Sequence, residues 1–173
     1  VLDPKTGEFV DFDKKAVVPE FVKETKKMAT LAEKQKHIIE NSEFAKKLVA
    51  SMCVYSANRV PEIADTIVEI DNAMKWGYAW EAGPFESWDK LGVEESVKDW
   101  AAMGVTIPAN FQKMLDSGAK SFYKSENGKN FFFDFASNSY KEVPLSEGML
   151  FLAPLKAANK TVIGNKGASL IDI

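Results

Sequence analysis

Few side chains in this 173-residue sequence could carry chemistry, and their spacing limits what they could do. The single histidine, His37, lies in a charged stretch, and the single cysteine, Cys53, lies in an apolar one. One histidine and one cysteine far apart make no ordinary zinc set. No histidine–carboxylate pair suited to acid–base catalysis is expected either. There is no G-x-G-x-x-G after a strand and no P-loop, so no phosphate cradle is recognisable; "NGKN" and "GNKG" read as turns. Carboxylates remain. Asp65, Glu69 and Asp71 could form an acid–base or metal cluster, since Asp65 and Glu69 stand four apart on one helix face. Capping and solvation account for them at lower cost. Glu81, Glu86 and Asp89 flank Trp76, Trp80 and Trp88, an arrangement that could bind a sugar on an aromatic platform. Packing of Trp76, Trp80, Phe85 and Trp88 is the stronger reading, because large rings dominate core and interface burial. Cys53 reads as a small buried hydrophobe, and His37 as a solvated helix residue.

The elements that must position these groups are mostly helical. "LDPKTGEFVDF" places a turn between short extended pieces and predicts a small hairpin within a 1–19 lead-in. Over 20–40, Leu31, Lys34, Ile38 and Ile39 form a narrow stripe, which predicts one amphipathic helix. Ser42 is a good N-cap for the longest helical pattern. There Phe44, Leu48, Met52 and Tyr55, then Val60, Ile63, Ile67 and Ile70, recur at three-to-four spacing. Pro61 removes one backbone donor inside that pattern and predicts a kink or a break.

Asp71 is expected to cap a short helix "NAMKW", ended by Gly77 in a left-handed conformation, with "YAWEA" as a loop. Gly83 and Pro84 begin a further helix, "PFESWDKL", which Gly92 ends. A helix over 93–103 closes at Gly104, and Pro108 opens another that closes at Gly118. Short helices punctuated by glycine predict a compact helical domain over 20–144. From 121 the texture changes. Extended runs flank Asn127-Gly128, the strongest two-residue hairpin signal. Phe131, Phe133 and Phe135 alternate on one face, against Phe122 or Tyr123, so a β-hairpin is expected within 121–143. Over 145–173, Pro154, Lys156, Asn159 and Gly164 suggest a helix followed by a linker.

The bulk composition agrees with an ordinary globular chain: 46% hydrophobic, 27% charged, net charge −3. That balance argues against a nucleic-acid partner, which needs clustered excess Lys and Arg. No apolar run approaches the ~20 residues of a membrane span. A lone cysteine excludes an internal disulfide and fits a reducing, cytoplasmic setting. Val1 is not an initiator methionine, and "GASLIDI" is an apolar run with no closing turn. The chain therefore reads as cut from a longer protein at both ends, with proteolytic maturation as the alternative.

"DNAMKWGYAWEAGPFESWDKLG" resembles the C-terminal helical module of NAD-dependent 3-hydroxyacyl-CoA dehydrogenases. The positions that carry the likeness are Asp71, Ala73, Met74, Gly77, Gly83, Pro84, Phe85, Asp89 and Gly92. Trp88 joins them as a packing position, and Trp76 and Trp80 as a possible domain interface. Downstream, Gly118, Phe122 and Tyr123 look like the same family's closing segment. "KWG" and the tryptophan before Gly-Pro-Phe look most like proteins that join this dehydrogenase to an enoyl-CoA hydratase. The likeness is dense over 55–135.

The resemblance implies a mainly α fold, a helical bundle like the C-terminal domain of 6-phosphogluconate dehydrogenases, with a small β-hairpin. It implies oxidation of 3-hydroxyacyl-CoA to 3-ketoacyl-CoA in fatty-acid β-oxidation by the full-length enzyme, with NAD. The family's nucleotide-binding domain and catalytic pair lie upstream, and a hydratase domain would lie downstream. Neither domain is present here, so no catalytic, cofactor or metal residue is assigned in this chain. Asn58 occupies a helix that looks equivalent to one bearing a substrate-contacting asparagine. This chain reads as the second helical copy, so that role is not transferred. The competing reading is an independent helical binding or scaffold module.

Overall fold

The computed structural model describes residues 2–3, 6–11, 18–145, 147–148, 150, 152–158, 161–165 and 169–171. Among them the fold is mainly α with small antiparallel sheets, as the patterning predicts. Parts of the expected lead-in and linker, including Pro4, Lys5 and Asn159, lie outside the described residues.

The expected single helix over 20–40 is broken in two. α1 (Glu20–Glu24) runs into a 3-10 turn at Thr25–Lys27, and α2 (Leu31–Asn41) starts afresh. Thr30 is the reason. Its hydroxyl accepts from the Glu33 amide at 3.2 Å, while the Glu33 carboxylate accepts from the Thr30 amide at 2.9 Å. This reciprocal capping box makes a helix start out of Thr-x-x-Glu. Ser42 caps α3 (Glu43–Asn58) by accepting from the Ala45 amide at 3.2 Å. The pattern breaks at Pro61: α3 stops, the Val60–Pro61 peptide is cis, and α4 begins at Ile67.

α4 spans Ile67–Tyr78, α5 Pro84–Leu91, α6 Val93–Ala102 and α7 Ala109–Asp116. Asn110, at the start of α7, donates from Nδ2 to the Ala57 carbonyl at 2.9 Å, so it satisfies the last turn of α3. β1 (Tyr123–Glu126) and β2 (Lys129–Asp134) form the expected hairpin. Asn127 and Gly128 take φ of 52° and 80°, the positive pair of a type I′ turn. A third strand, β3 (Ser139–Glu142), pairs with β2, and the patterning does not predict it. The expected one-face alternation of phenylalanines holds only in part, because Phe132 and Phe133 are both buried. Beyond the sheet come α8 (Leu152–Ala157) and a two-stranded ribbon, β4 (Thr161–Gly164) with β5 (Ser169–Ile171). The ribbon replaces part of the expected linker.

The core is aromatic and sits where α3, α5, α6, α7 and the hairpin converge. Trp88 stacks on Phe111 with centroids 4.6 Å apart and leans on Trp100 at 4.9 Å. Phe122 meets the edge of Phe85 at 5.0 Å. Such pairs contribute roughly 0.5–1.5 kcal/mol beyond their buried area.

Candidate functional site

Asp71 lies inside α4, not at its start. The expected short helix capped by Asp71 and closed by Gly77 is therefore corrected. Thr66 precedes the first turn, with the Glu69 carboxylate accepting from its amide at 2.7 Å. The left-handed end falls at Ala79, φ 55°, and Gly77 is an exposed helical residue. The apolar pattern already runs back to Ile67, and this favours one longer helix over a restart.

Asp71 does cap a helix, but a different one. Fully buried, it accepts from the Phe85 amide at 2.9 Å and the Glu86 amide at 3.0 Å. These are free donors in the first turn of α5, where negative charge is also favoured by the helix dipole. Gly83 makes the approach possible, since a Cβ there would collide with the Asp71 carboxylate. Pro84 fixes the first helical φ and costs no donor. Glu86 completes the turn: one oxygen accepts from the Gly83 amide at 3.0 Å, the other pairs with Lys75 at 2.6 Å. Met74, half-buried on α4, accepts from the Trp80 amide at 3.5 Å.

Tyr123 joins this junction to a second one. Its hydroxyl donates to Asp71 at 3.0 Å, and its amide donates to Asp89 at 2.8 Å. Asp89 also accepts from the Phe122 amide at 2.7 Å. Two helices and the first strand are thus tied through one buried carboxylate, one half-buried carboxylate and one tyrosine. Burial pushes the Asp71 carboxyl up to about 6 against the opposing pull of the Phe85 amide. Burial pushes Asp89 up to about 7, opposed by the Phe122 and Tyr123 amides. The Tyr123 hydroxyl is pushed up too, by burial and by the neighbouring Asp71 charge. Gly92, φ 86°, ends α5, and Ser96 of α6 accepts from the Trp88 indole at 2.7 Å. Spacing does not mark out Asn110 or Ser96, and it singles out Tyr123 without its hydroxyl's role, because long-range polar partners leave no periodic signal.

The structure separates the tryptophans. Phe85 and Trp88 are fully buried, whereas Trp76 is 79% exposed and Trp80 is 39% exposed, so packing does not account for all four. Cys53 is buried, its thiol 3.7 Å from the Pro84 carbonyl, and burial pushes its pKa up. Asn58 is exposed at the end of α3. His37 is paired after all: its Nε2 lies 2.9 Å from Glu24, a half-exposed contact between α2 and α1. Asp65 and Glu69 do not meet Asp71 in a cluster, and among the described residues no group of His, Cys, Asp and Glu is arranged to hold a metal. A shallow groove of about 490 Å³ runs beside His37, and a cleft of about 290 Å³ lies between the β1–β2 turn and α8. Neither is lined by any residue of 71–92. No helix among the described residues is long and apolar enough to cross a membrane.

The chain is 38% identical over 144 residues to a Bacillus subtilis protein named probable 3-hydroxyacyl-CoA dehydrogenase. The match covers 81% of this chain and 18% of that protein. It is 31% identical over 109 residues to a Rickettsia felis protein named putative fatty acid oxidation complex trifunctional enzyme, 61% of this chain and 13% of that one. A Rickettsia prowazekii protein of the same name is 36% identical over 68 residues. The chain thus spans less than a fifth of the length of these curated relatives. No protein-family profile and no solved structure matches it. By sequence, this chain is a relative of one segment of the 3-hydroxyacyl-CoA dehydrogenases and fatty acid oxidation enzymes.

Proposed function

We propose that this chain is the non-catalytic, C-terminal helical part of an NAD-dependent 3-hydroxyacyl-CoA dehydrogenase of fatty-acid β-oxidation, working in the cytoplasm. In this reading an upstream nucleotide-binding domain holds NAD and oxidises the 3-hydroxyl of the acyl-CoA. A hydratase domain follows downstream. The helical part completes the substrate side and holds domains or subunits together, in a bundle akin to the C-terminal domain of 6-phosphogluconate dehydrogenases.

One observation carries the reading. The carboxylates that a dehydrogenase-like motif offers in this chain are already committed to backbone amides. Asp71 holds the first turn of α5, and Asp89 holds the entry to β1. A carboxylate whose two oxygens both accept from backbone amides holds the fold at that point, and neither cleft of the described residues is lined by Asp71 or Asp89. The exposed Trp76 and the exposed Phe44, Leu48 and Tyr55 along α3 fit faces that meet other domains.

The test is a calorimetric titration of the isolated chain with NAD, alongside a turnover assay with a 3-hydroxyacyl-CoA. Neither binding nor turnover is expected. Saturable NAD binding, or oxidation above a buffer blank, would overturn the assignment.

A further inference from the structure

We propose that Asn127-Gly128 is a self-modifying site, where the Gly128 backbone nitrogen attacks the Asn127 carboxamide and the isoaspartate left behind loosens α8. The site stands at the tip of the β1–β2 hairpin, beyond the last ladder pair, Glu126 with Lys129. Asn127 is exposed. Neither its side chain nor the Gly128 amide makes a hydrogen bond among the described residues. Gly128 is half-buried, but with no Cβ to shield its nitrogen the nucleophile and electrophile are adjacent and unpaired, the carboxamide open to water. The type I′ turn must open before they align, and hairpin tips are where such opening concentrates.

The chemistry needs only water. The Gly128 nitrogen gives its proton to solvent base and bonds to the Asn127 Cγ. The Cγ–NH2 bond breaks, and ammonia leaves. Water then opens the cyclic imide at either carbonyl, giving aspartate or isoaspartate. No oxidation or reduction occurs.

The consequence is local and mechanical. Isoaspartate routes the main chain through the former side chain, lengthening a two-residue turn whose geometry sets the strand register. It also adds a negative charge beside Glu126. The turn is the platform for α8. A Cβ on Gly128 would stand 3.5 Å from the Leu155 side chain and 3.8 Å from that of Ala158. Leu155 and Pro154 are the buried residues of α8, and they share the 290 Å³ cleft with Asn127 and Gly128. A distorted turn removes that seat.

Asn138 provides the internal comparison. It also has φ of 52°, but serine follows it, and a side chain on the next residue hinders the attack. The experiment ages the natural protein in warm, mildly alkaline buffer and maps its peptides by mass spectrometry. Amide-to-acid conversion is expected at Asn127 several-fold faster than at Asn138. Asn127→Gly keeps a turn-compatible pair and should show no conversion at this position. Hydrogen exchange across 152–157 should rise in the isoaspartate form and stay unchanged in freshly prepared, unaged Asn127→Asp, which carries the charge without the longer main chain. An intact Asn127 after Asn138 has converted overturns the site. Conversion that leaves exchange at 152–157 unchanged, or an equal rise in Asn127→Asp, overturns the mechanical consequence.

Discussion

The junction around Asp71 and the β4–β5 ribbon both carry large apolar side chains, aromatic in the first and aliphatic in the second, yet they hold together in different ways. At the junction, α4, α5 and β1 close on one another. Phe85, Trp88 and Phe122 are fully buried, and both carboxylates are engaged by backbone amides. In the ribbon, Val162, Ile163 and Leu170 are all exposed, Ile163 by 70%. A two-stranded ribbon is marginal in water without a third element to cover a face. The difference teaches that an apolar run becomes core only where several elements also close off the polar backbone beside it.

Removing a ring should break the comparison at its strongest point. Phe85→Ala is expected to cost about 3–5 kcal/mol, read as a large fall in denaturation midpoint. In the full-length dehydrogenase of the proposed function, turnover of the folded fraction should stay within a few-fold. Unchanged melting with collapsed turnover would mean that the junction is a functional site.

Acidity should separate the regions next. Asp71 and Asp89 are held near 6 and 7 in the fold, above the ordinary 3.8. The fold therefore keeps protons that the unfolded chain has released. The stability they contribute is fully present below pH ~4 and is lost as pH rises through the folded values near 6 and 7. For Asp71 alone, the rise from 3.8 to about 6 corresponds to roughly 3 kcal/mol. Denaturation midpoints measured from pH 4.5 to 8 (about the span between the two states' pKa values) should fall, and Asp71→Asn should flatten that slope.

Ser96→Ala leaves the buried Trp88 indole N–H without its acceptor. A loss of about 1–3 kcal/mol is expected by chemical denaturation. Ile163→Ala, in the exposed ribbon, should stay within about 0.5 kcal/mol. A ribbon substitution as costly as Ser96→Ala would erase the contrast.

Much of this fold is legible in the residues. Pro61, Pro84 and Asn127-Gly128 act through their own backbone chemistry and Ser42 through a hydroxyl that reaches an amide three residues on, so their effects can be read locally. The break before α2 is also written locally, as Thr30 with Glu33, but the weak stripe beyond it masks the signal. The ties that make the junction are not legible in the same way. Asp71 to Phe85, Asp89 to Phe122 and Asn110 to Ala57 join residues far apart in the chain. Nothing in the type or spacing of an aspartate tells which distant helix it will cap. The third strand and the β4–β5 ribbon share this limit, since a strand is defined by a partner that the strand's own residues do not name.

Cys53 gives the junction a clock. The thiol is fully buried between α3 and the start of α5, and burial keeps it protonated. Only the thiolate reacts with alkylating and disulfide reagents. Labelling must therefore wait until α5 lifts from α3. In a chain with one cysteine, each labelled molecule then marks a single opening of the junction. With reagent in excess, the labelling rate becomes a direct readout of how often the packed centre breathes.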